Sequence, residues 1–266
     1  MNKKIGVLGG GQLGRMMGLE APQLGIELHF LDKDKNYPAG QISSNFHEGD
    51  FTNAEDVFNF GKQMDAVTIE IENVSVEGLK KLEDWGVKVF PQSSVIALIK
   101  DKGLQKEFYD YYKIPTSPFS LYENKEAIHS AIAEQKISIP LVQKARTEGY
   151  DGKGVQLIKS IAEIDKIWDT PSVIEDLVKI KKEIAVIITR TKDGETAIYP
   201  VVEMDFDDKA NLLDMLVCPA RIPEEIQLKA LEMAKLIAQK MSIIGILAVE
   251  MFWTESDEVI VNEVAP

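Results

Sequence analysis

Ile5-Gly-Val-Leu-Gly-Gly-Gly-Gln-Leu-Gly-Arg-Met-Met17 opens the chain as an apolar run that breaks into glycine. Gly9, Gly11 and Gly14 satisfy G-x-G-x-x-G, the pattern of a strand that turns tightly into a helix and leaves backbone N–H groups facing an anion. Asp32 ends the next apolar segment, about 20 residues on, where a dinucleotide-binding protein places its ribose acid. The loop therefore reads either as a dinucleotide site, as a phosphate site of another kind, or as a bare strand-to-helix turn.

Strand and helix signals alternate through the first ninety residues. Strands are expected at Lys4–Leu8, Glu27–Leu31, Ala66–Ile71 and Val87–Phe90, and helices at Gly14–Leu24, from the capping box Thr52-Asn-Ala-Glu55 to about Gln63, and at Val76–Trp85. That alternation predicts a parallel, doubly wound sheet, with a boundary at Pro91-Gln-Ser-Ser94. The second part reads as α+β. It has one helix over Val95–Tyr112, another over 125–136, strands at Leu141–Ala145 and Val155–Ile158, and a hairpin about Lys192-Asp-Gly194. An amphipathic helix from Pro223 to about Lys240 and two strands, Ile246–Trp253 and Glu258–Val264, complete it.

Lys and Arg total 30 against 43 Asp and Glu, a formal net charge of -13, which disfavours nucleic acid as the main partner. Cys218 is the single cysteine, so no internal disulfide forms. The stretch from Ile243 to Val249 is too short to span a bilayer, and glycines interrupt any signal-peptide core. These features predict a soluble cytoplasmic protein without a membrane partner. His29, His47 and His129 are scattered, which argues against a histidine metal site.

Four further stretches carry chemistry. Glu148-Gly-Tyr-Asp-Gly-Lys-Gly154 lies between two strands; its amides and Lys153 could close over phosphates, with Lys144 on the preceding strand as a point charge, or it is an ordinary flexible turn. A terminal hairpin centred between Ser256 and Asp257 would set Glu250 directly opposite Glu263, with Cβ atoms about 5 Å apart. Facing carboxylates repel unless a cation lies between them, so this pair, with Asn262, is a candidate Mg²⁺ site; the alternative is a bulge that turns one glutamate to solvent. Glu175 and Glu183 bracket Asp176, Leu177 and Val178, a strand-to-loop hinge suited to an adenine edge and ribose hydroxyls, or a solvated charge cluster. Glu70 and Glu72 are expected to share one strand face at the carboxyl edge of the parallel sheet.

Together, "GGGQLGRM", "TIEIENV", "DKGLQK", "EGYDGKG" and "VNEVAP" occur in an order and spacing that resembles the ATP-grasp superfamily, and within it the N5-carboxyaminoimidazole ribonucleotide synthetases. The resemblance runs over essentially the whole chain. It implies an α/β ATP-grasp fold: a Rossmann-like parallel sheet over 1–94, then α+β ATP-grasp lobes over 95–266 with a lid subdomain at about 115–175. It implies carboxylation of 5-aminoimidazole ribonucleotide with bicarbonate and Mg-ATP, through carboxyphosphate, by a homodimer.

Position by position, it implies ATP contacts at Lys102, Lys144, Gly149, Tyr150, Asp151, Gly152, Lys153, Gly154, Glu175, Asp176, Leu177, Val178, Glu183, Asn262 and Glu263. Magnesium would rest on Glu250 and Glu263, and the substrate 5′-phosphate on Gly11, Gln12 and Leu13. Catalytic contacts would come from Asp151, Lys153 and a carboxylate of Glu70 or Glu72. Lys102 and Lys153 stand where relatives often carry arginine, which removes a bidentate contact. The acidic stretch Asp205–Cys218 replaces a histidine-containing segment. The family continues past the position of Pro266 with an Arg-x-His-Asn-Ser-Gly-His stretch and a small basic domain, so these residues are expected to hold ATP but to turn over poorly. Competing readings are another ATP-grasp ligase (a formate-dependent glycinamide ribonucleotide transformylase or a biotin carboxylase), an NAD-dependent oxidoreductase, and a non-catalytic nucleotide-binding module.

Overall fold

A computed structural model describes residues 3–147, 154–207 and 212–266, the side chains of 206, 207 and 212 apart. The chain divides into two compact units, Met1–Ala97 with Ile243–Gly245 and Pro266, and Leu98–Ser242 with Ile246–Ala265.

The first unit runs β1 (Lys3–Leu8), α1 (Gln12–Glu20), β2 (Ile26–Asp32), β3 (Phe46–Glu48), α2 (Ala54–Gly61), β4 (Ala66–Ile69), α3 (Val76–Trp85) and β5 (Lys88–Val89), with α4 (Ser93–Ile99) at its end. The strands form one parallel sheet in the order β3-β2-β1-β4-β5. Alternation along β1 sends Leu8 to one face, with Leu31, Ile69 and the buried Val57, Leu79 and Leu82 of α2 and α3. Val7 goes to the other face, with Phe30 and Ala39. Short β3 had no signal in the sequence.

Helix α2 corrects the expected capping box. Asn53, not Thr52, is the cap: its Oδ1 accepts from the amides of Glu55 at 2.9 Å and Asp56 at 3.1 Å. Thr52 instead donates its hydroxyl to Asp50. Asn53→Ala is expected to lower stability in urea unfolding by ~1 kcal/mol, whereas Thr52→Ala changes it by less than about 0.5 kcal/mol.

The second unit begins with α5 (Lys102–Tyr111), β6 (Phe119–Tyr122), α6 (Lys125–Ala133), β7 (Leu141–Ala145), β8 (Val155–Ile158) and β9 (Ser172–Asp176). It continues with β10 (Ile180–Arg190), β11 (Thr196–Ile198), β12 (Val202–Asp207), β13 (Leu212–Val217), α7 (Glu224–Met241), β14 (Gly245–Thr254) and β15 (Val259–Ala265). The strands make two antiparallel sheets, one in the order β6-β9-β7-β8 and one in the order β13-β12-β10-β14-β15, with β11 paired to β10.

The single helix expected over Val95–Tyr112 is two. Asp101 takes an extended conformation and caps α5, accepting from the amides of Gly103 at 2.7 Å and Leu104 at 3.2 Å. The Arg146 guanidinium locks that carboxylate through Nε at 3.0 Å and Nη2 at 2.8 Å. The break starts α5 at Lys102, one turn before Lys106, so both side chains lie on one face. Among the described residues, no helix is long and apolar enough to cross a membrane.

Candidate functional site

In the first unit, β1 hands over to α1 at the point where the strand order reverses, the usual ligand position in such sheets. Gly9 has φ +108°, which disfavours any side chain there. A Cβ on Gly10 would lie 2.6 Å from the Phe46 ring, and one on Gly11 would lie 2.7 Å from Glu70 Oε1. Gly11 precedes α1, and the first bond within the helix runs from Arg15 N to Gly11 O at 3.0 Å. The amides of Gln12, Leu13 and Gly14 thus form the first turn, whose N–H groups have no partner within the helix.

Asp32 does not face a ribose. It is 6 % exposed, and its Oδ2 accepts from Gly10 N at 2.7 Å while Oδ1 accepts from Lys33 N at 2.7 Å. The carboxylate staples the glycine loop, and the dinucleotide reading loses its ribose acid. The Glu70/Glu72 expectation also changes. Strand β4 stops at Ile69, so both glutamates lie in the following loop and share no strand face. Glu70 turns back to the glycine loop and accepts from Gly11 N at 3.3 Å; Glu72 is half-buried farther along.

In the second unit, Glu250 on β14 lies opposite Glu263 on β15, but not through the expected turn. Near the turn, Trp253 faces Val259, Phe252 faces Ile260 and Met251 faces Val261, one residue short of the predicted register. A bulge at Asn262 takes up the difference and brings the two glutamates level. The bulge does not turn either glutamate away; it aims Asn262, whose Oδ1 accepts from Lys144 Nζ at 2.8 Å.

The electrostatics of the pair are lopsided. Burial, Glu263 and Glu183 push the Glu250 carboxyl up to about 7, against Lys102 and Lys144. Glu263 is ion-paired with Lys102. Burial opposes its charge, but Lys102 and then Lys144 outweigh that and hold Glu263 below the usual carboxylate range. Glu183, on adjacent β10, is raised by burial and by Glu263, with Lys144 opposing. Among the described residues no group of three or more metal-ligating side chains converges. The acid set is therefore two facing carboxylates, which suits an ion that completes its shell with water and phosphate oxygens.

Three lysines face these acids. Lys102, Lys106, Lys144, Glu175, Asn262 and Glu263 line one pocket with Gln105. Glu175 Oε1 lies 2.9 Å from Lys106 Nζ and 3.1 Å from Lys144 Nζ. Burial opposes the Glu175 charge, but Lys144 and Lys106 outweigh it and hold the carboxyl low. Burial pushes Lys106 down to about 8, with Glu175 opposing and Lys144 adding to the effect. Glu175 is 3 % exposed, and its carboxylate is taken up by the two lysines. Asp176 and Leu177 beyond it are exposed and Val178 is half-buried, leading to β10. Gly154 closes the β7–β8 hairpin, its carbonyl accepting from Ala145 N at 2.9 Å. Gly149, Tyr150, Asp151, Gly152 and Lys153 lie outside the described residues.

Lys106, Thr116 and the Asp101–Arg146 pair were not singled out by sequence reasoning. The available signal was the spacing within "DKGLQK", which puts Lys106 one turn from Lys102.

Residues 1–100 match the ribonucleotide synthetase preATP-grasp domain family and residues 107–266 the ATP-grasp domain family. The chain is 33% identical over 267 residues to the N5-carboxyaminoimidazole ribonucleotide synthase of Bacillus subtilis, covering 98% of this chain and 69% of that protein. It is 37% identical over 273 residues to the phosphoribosylaminoimidazole carboxylase of Saccharomyces cerevisiae, covering 100% of this chain and 47% of that protein. The chain thus spans about half the length of such fungal relatives. A crystal structure of N5-carboxyaminoimidazole synthase from Aspergillus clavatus, in complex with ADP and 5-aminoimidazole ribonucleotide, superposes with a TM-score of 0.90 at 33% identity, covering 99% of this chain and 69% of that one. The chain belongs to the N5-carboxyaminoimidazole ribonucleotide synthetase family of ATP-grasp proteins.

Proposed function

We propose that the chain carries out ATP- and bicarbonate-dependent carboxylation of 5-aminoimidazole ribonucleotide, forming N5-carboxyaminoimidazole ribonucleotide in purine biosynthesis. The observation that carries this reading is the second-unit charge set: Glu250 opposite Glu263, with Lys102 on Glu263 and Lys144 on Asn262. Lysines beside paired acids are what a nucleoside triphosphate with a divalent cation requires. The fit to Mg²⁺ rests on Glu250, whose carboxyl is pushed up to about 7 by burial and by neighbouring carboxylates. Such a group is hard, oxygen-only and short of positive charge. When bound, Mg²⁺ spreads the negative charge of the β- and γ-phosphates.

In this reading Lys102 and Lys144 hold phosphate oxygens, the segment Asp176–Val178 meets the adenine, and Glu183 accepts from the ribose. Bicarbonate oxygen attacks the γ-phosphorus, ADP leaves, and the substrate amine takes the carboxyl group from carboxyphosphate as phosphate departs. The chain supplies position and charge rather than covalent chemistry. The Gly11–Leu13 turn of the first unit takes the 5′-phosphate of the ribonucleotide by the ordinary physics of a helix N-terminus. Glu70, which accepts from Gly11 N, with Glu72 beyond it, supplies the carboxylate near the substrate, and Asp151 and Lys153 would act on the amine and carboxyphosphate. We assign residues 1–94 to the substrate-phosphate domain and 95–266 to the ATP-grasp domain with its lid at about 115–175. We place the protein in the cytoplasm as a homodimer.

ADP release measured with bicarbonate and 5-aminoimidazole ribonucleotide tests the reading. Release that needs both substrates and is not supported by formate is expected, at a low rate for these 266 residues. Release with formate in place of bicarbonate, or NADH binding without a response to Mg-ATP, would overturn it.

A further inference from the structure

Lys106 is 2 % exposed, lines the lysine pocket and contacts two of its supports. Its Nζ lies 2.9 Å from Glu175 Oε1 and donates to Thr116 Oγ1 at 2.5 Å. Thr116 Oγ1 in turn donates to the carbonyl of Val261 at 2.8 Å, immediately before the Asn262 bulge. Asn262 accepts from Lys144, and Lys144 returns to the same Glu175 oxygen at 3.1 Å. The contacts close a ring through α5, β7, β9 and β15.

We propose that Lys106 is a positioning residue for nucleotide binding: it occupies Glu175 so that the Lys144 ammonium remains available to phosphate oxygens. The proposal rests on the nucleotide reading of the second unit. Lys102 is matched by Glu263, whereas Lys106 and Lys144 share Glu175. One carboxylate cannot neutralise two ammonium groups, so Lys144 is not fully committed to Glu175 and also acts on Glu263, Glu183 and Glu250. Lys144 is the freer partner. Its contact to Glu175 is longer, its other bond goes to a neutral amide, and it is 7 % exposed against 2 % for Lys106. Without the Lys106 charge, buried Glu175 has only Lys144 as counter-ion within this ring and holds it tightly, since an unpaired buried carboxylate is costly. The same ammonium braces the backbone ahead of Asn262 through Thr116, so its loss loosens both partners of Lys144.

Calorimetric titration of the chain with Mg-ATP and with adenosine tests this. Lys106→Gln, which keeps a donor but no charge, is expected to weaken Mg-ATP at least tenfold and adenosine less than twofold. The double variant Lys106→Gln/Glu175→Gln removes the carboxylate that captures Lys144 and is expected to recover most of the lost Mg-ATP affinity. The assignment fails if Lys106→Gln binds Mg-ATP like wild type, if adenosine weakens equally, or if the double variant is no better than the single. Should Lys106→Gln not fold, as read by a cooperative melt, the charge-balanced double variant decides: retained Mg-ATP binding supports the proposal and loss overturns it. Wild type that binds no Mg-ATP overturns the nucleotide site itself, and this assignment with it.

Discussion

Glu250→Gln is expected to make the metal-free protein more stable above pH 7 and, at the same time, to abolish its stabilisation by Mg-ATP. The folded protein raises this carboxyl to about 7 through burial, Glu263 and Glu183. A carboxyl raised on folding binds its proton more tightly in the folded state than in the unfolded chain, so stability falls as pH rises between the two values and stays low above the folded one. Below the ordinary glutamate value near 4.3 the cost vanishes, because both states are protonated. At about 1.4 kcal/mol per pH unit the full cost is on the order of 4 kcal/mol. Glutamine removes it and keeps the shape. Urea unfolding of wild type and variant at pH 5 and pH 8 checks the sign: the advantage of the variant should be larger at pH 8. A variant less stable than wild type at pH 8 would show that the repulsion is already relieved within the metal-free protein. If Glu250 holds the cation as proposed, the same proton is expected to make cation affinity fall as pH drops below about 7.

Glu263→Gln is expected to have the opposite effect on the metal-free protein and the same effect on Mg-ATP. Lys102 and Lys144 hold the Glu263 carboxyl low against the cost of burial. A carboxyl lowered on folding contributes stability above its unfolded value and loses that contribution as pH falls through the folded one. The variant should therefore unfold more easily at neutral pH, by ~1 kcal/mol for a partly exposed pair, with the deficit shrinking in acid. Saturating Mg-ATP at a hundred times its Kd stabilises a binding protein by ~2.7 kcal/mol. That corresponds to a Tm rise of roughly 5–10 °C for a domain of this size. Wild type should show it and Glu263→Gln should not. An equal rise in the variant would remove Glu263 from the metal assignment, and no rise in wild type would remove the site.

Both predictions concern an acid pair that is legible in the amino-acid sequence, because a hairpin is a local contact. The route by which the pair meets is not legible there. Turn geometry shifts the register by one residue and the bulge at Asn262 shifts it back, so Glu250 and Glu263 meet for a reason that spacing alone does not contain. The bulge also matters chemically, since it frees Asn262 for Lys144. The Lys102–Glu263 pair spans 161 residues of sequence and the Lys144–Asn262 bond spans 118. No periodicity or spacing rule reaches that far. The split between α4 and α5 has the same origin: Asp101 is polarised and oriented by Arg146, 45 residues on.

By itself the sequence determined the alternation of strands and helices in the first unit, the antiparallel character of the second, the glycine turn into α1 and the identity of the charged groups. Those follow from backbone preference and side-chain period, which act over a few residues. What only the tertiary structure decided was the use of each group. Asp32 sits where a ribose acid would sit, but the fold turns it inward onto Gly10 N. Glu175 reads as one end of a strand-to-loop hinge, and only the fold shows its carboxylate buried between two lysines. A charge finds its partner by burial and proximity, and both are set when distant segments pack.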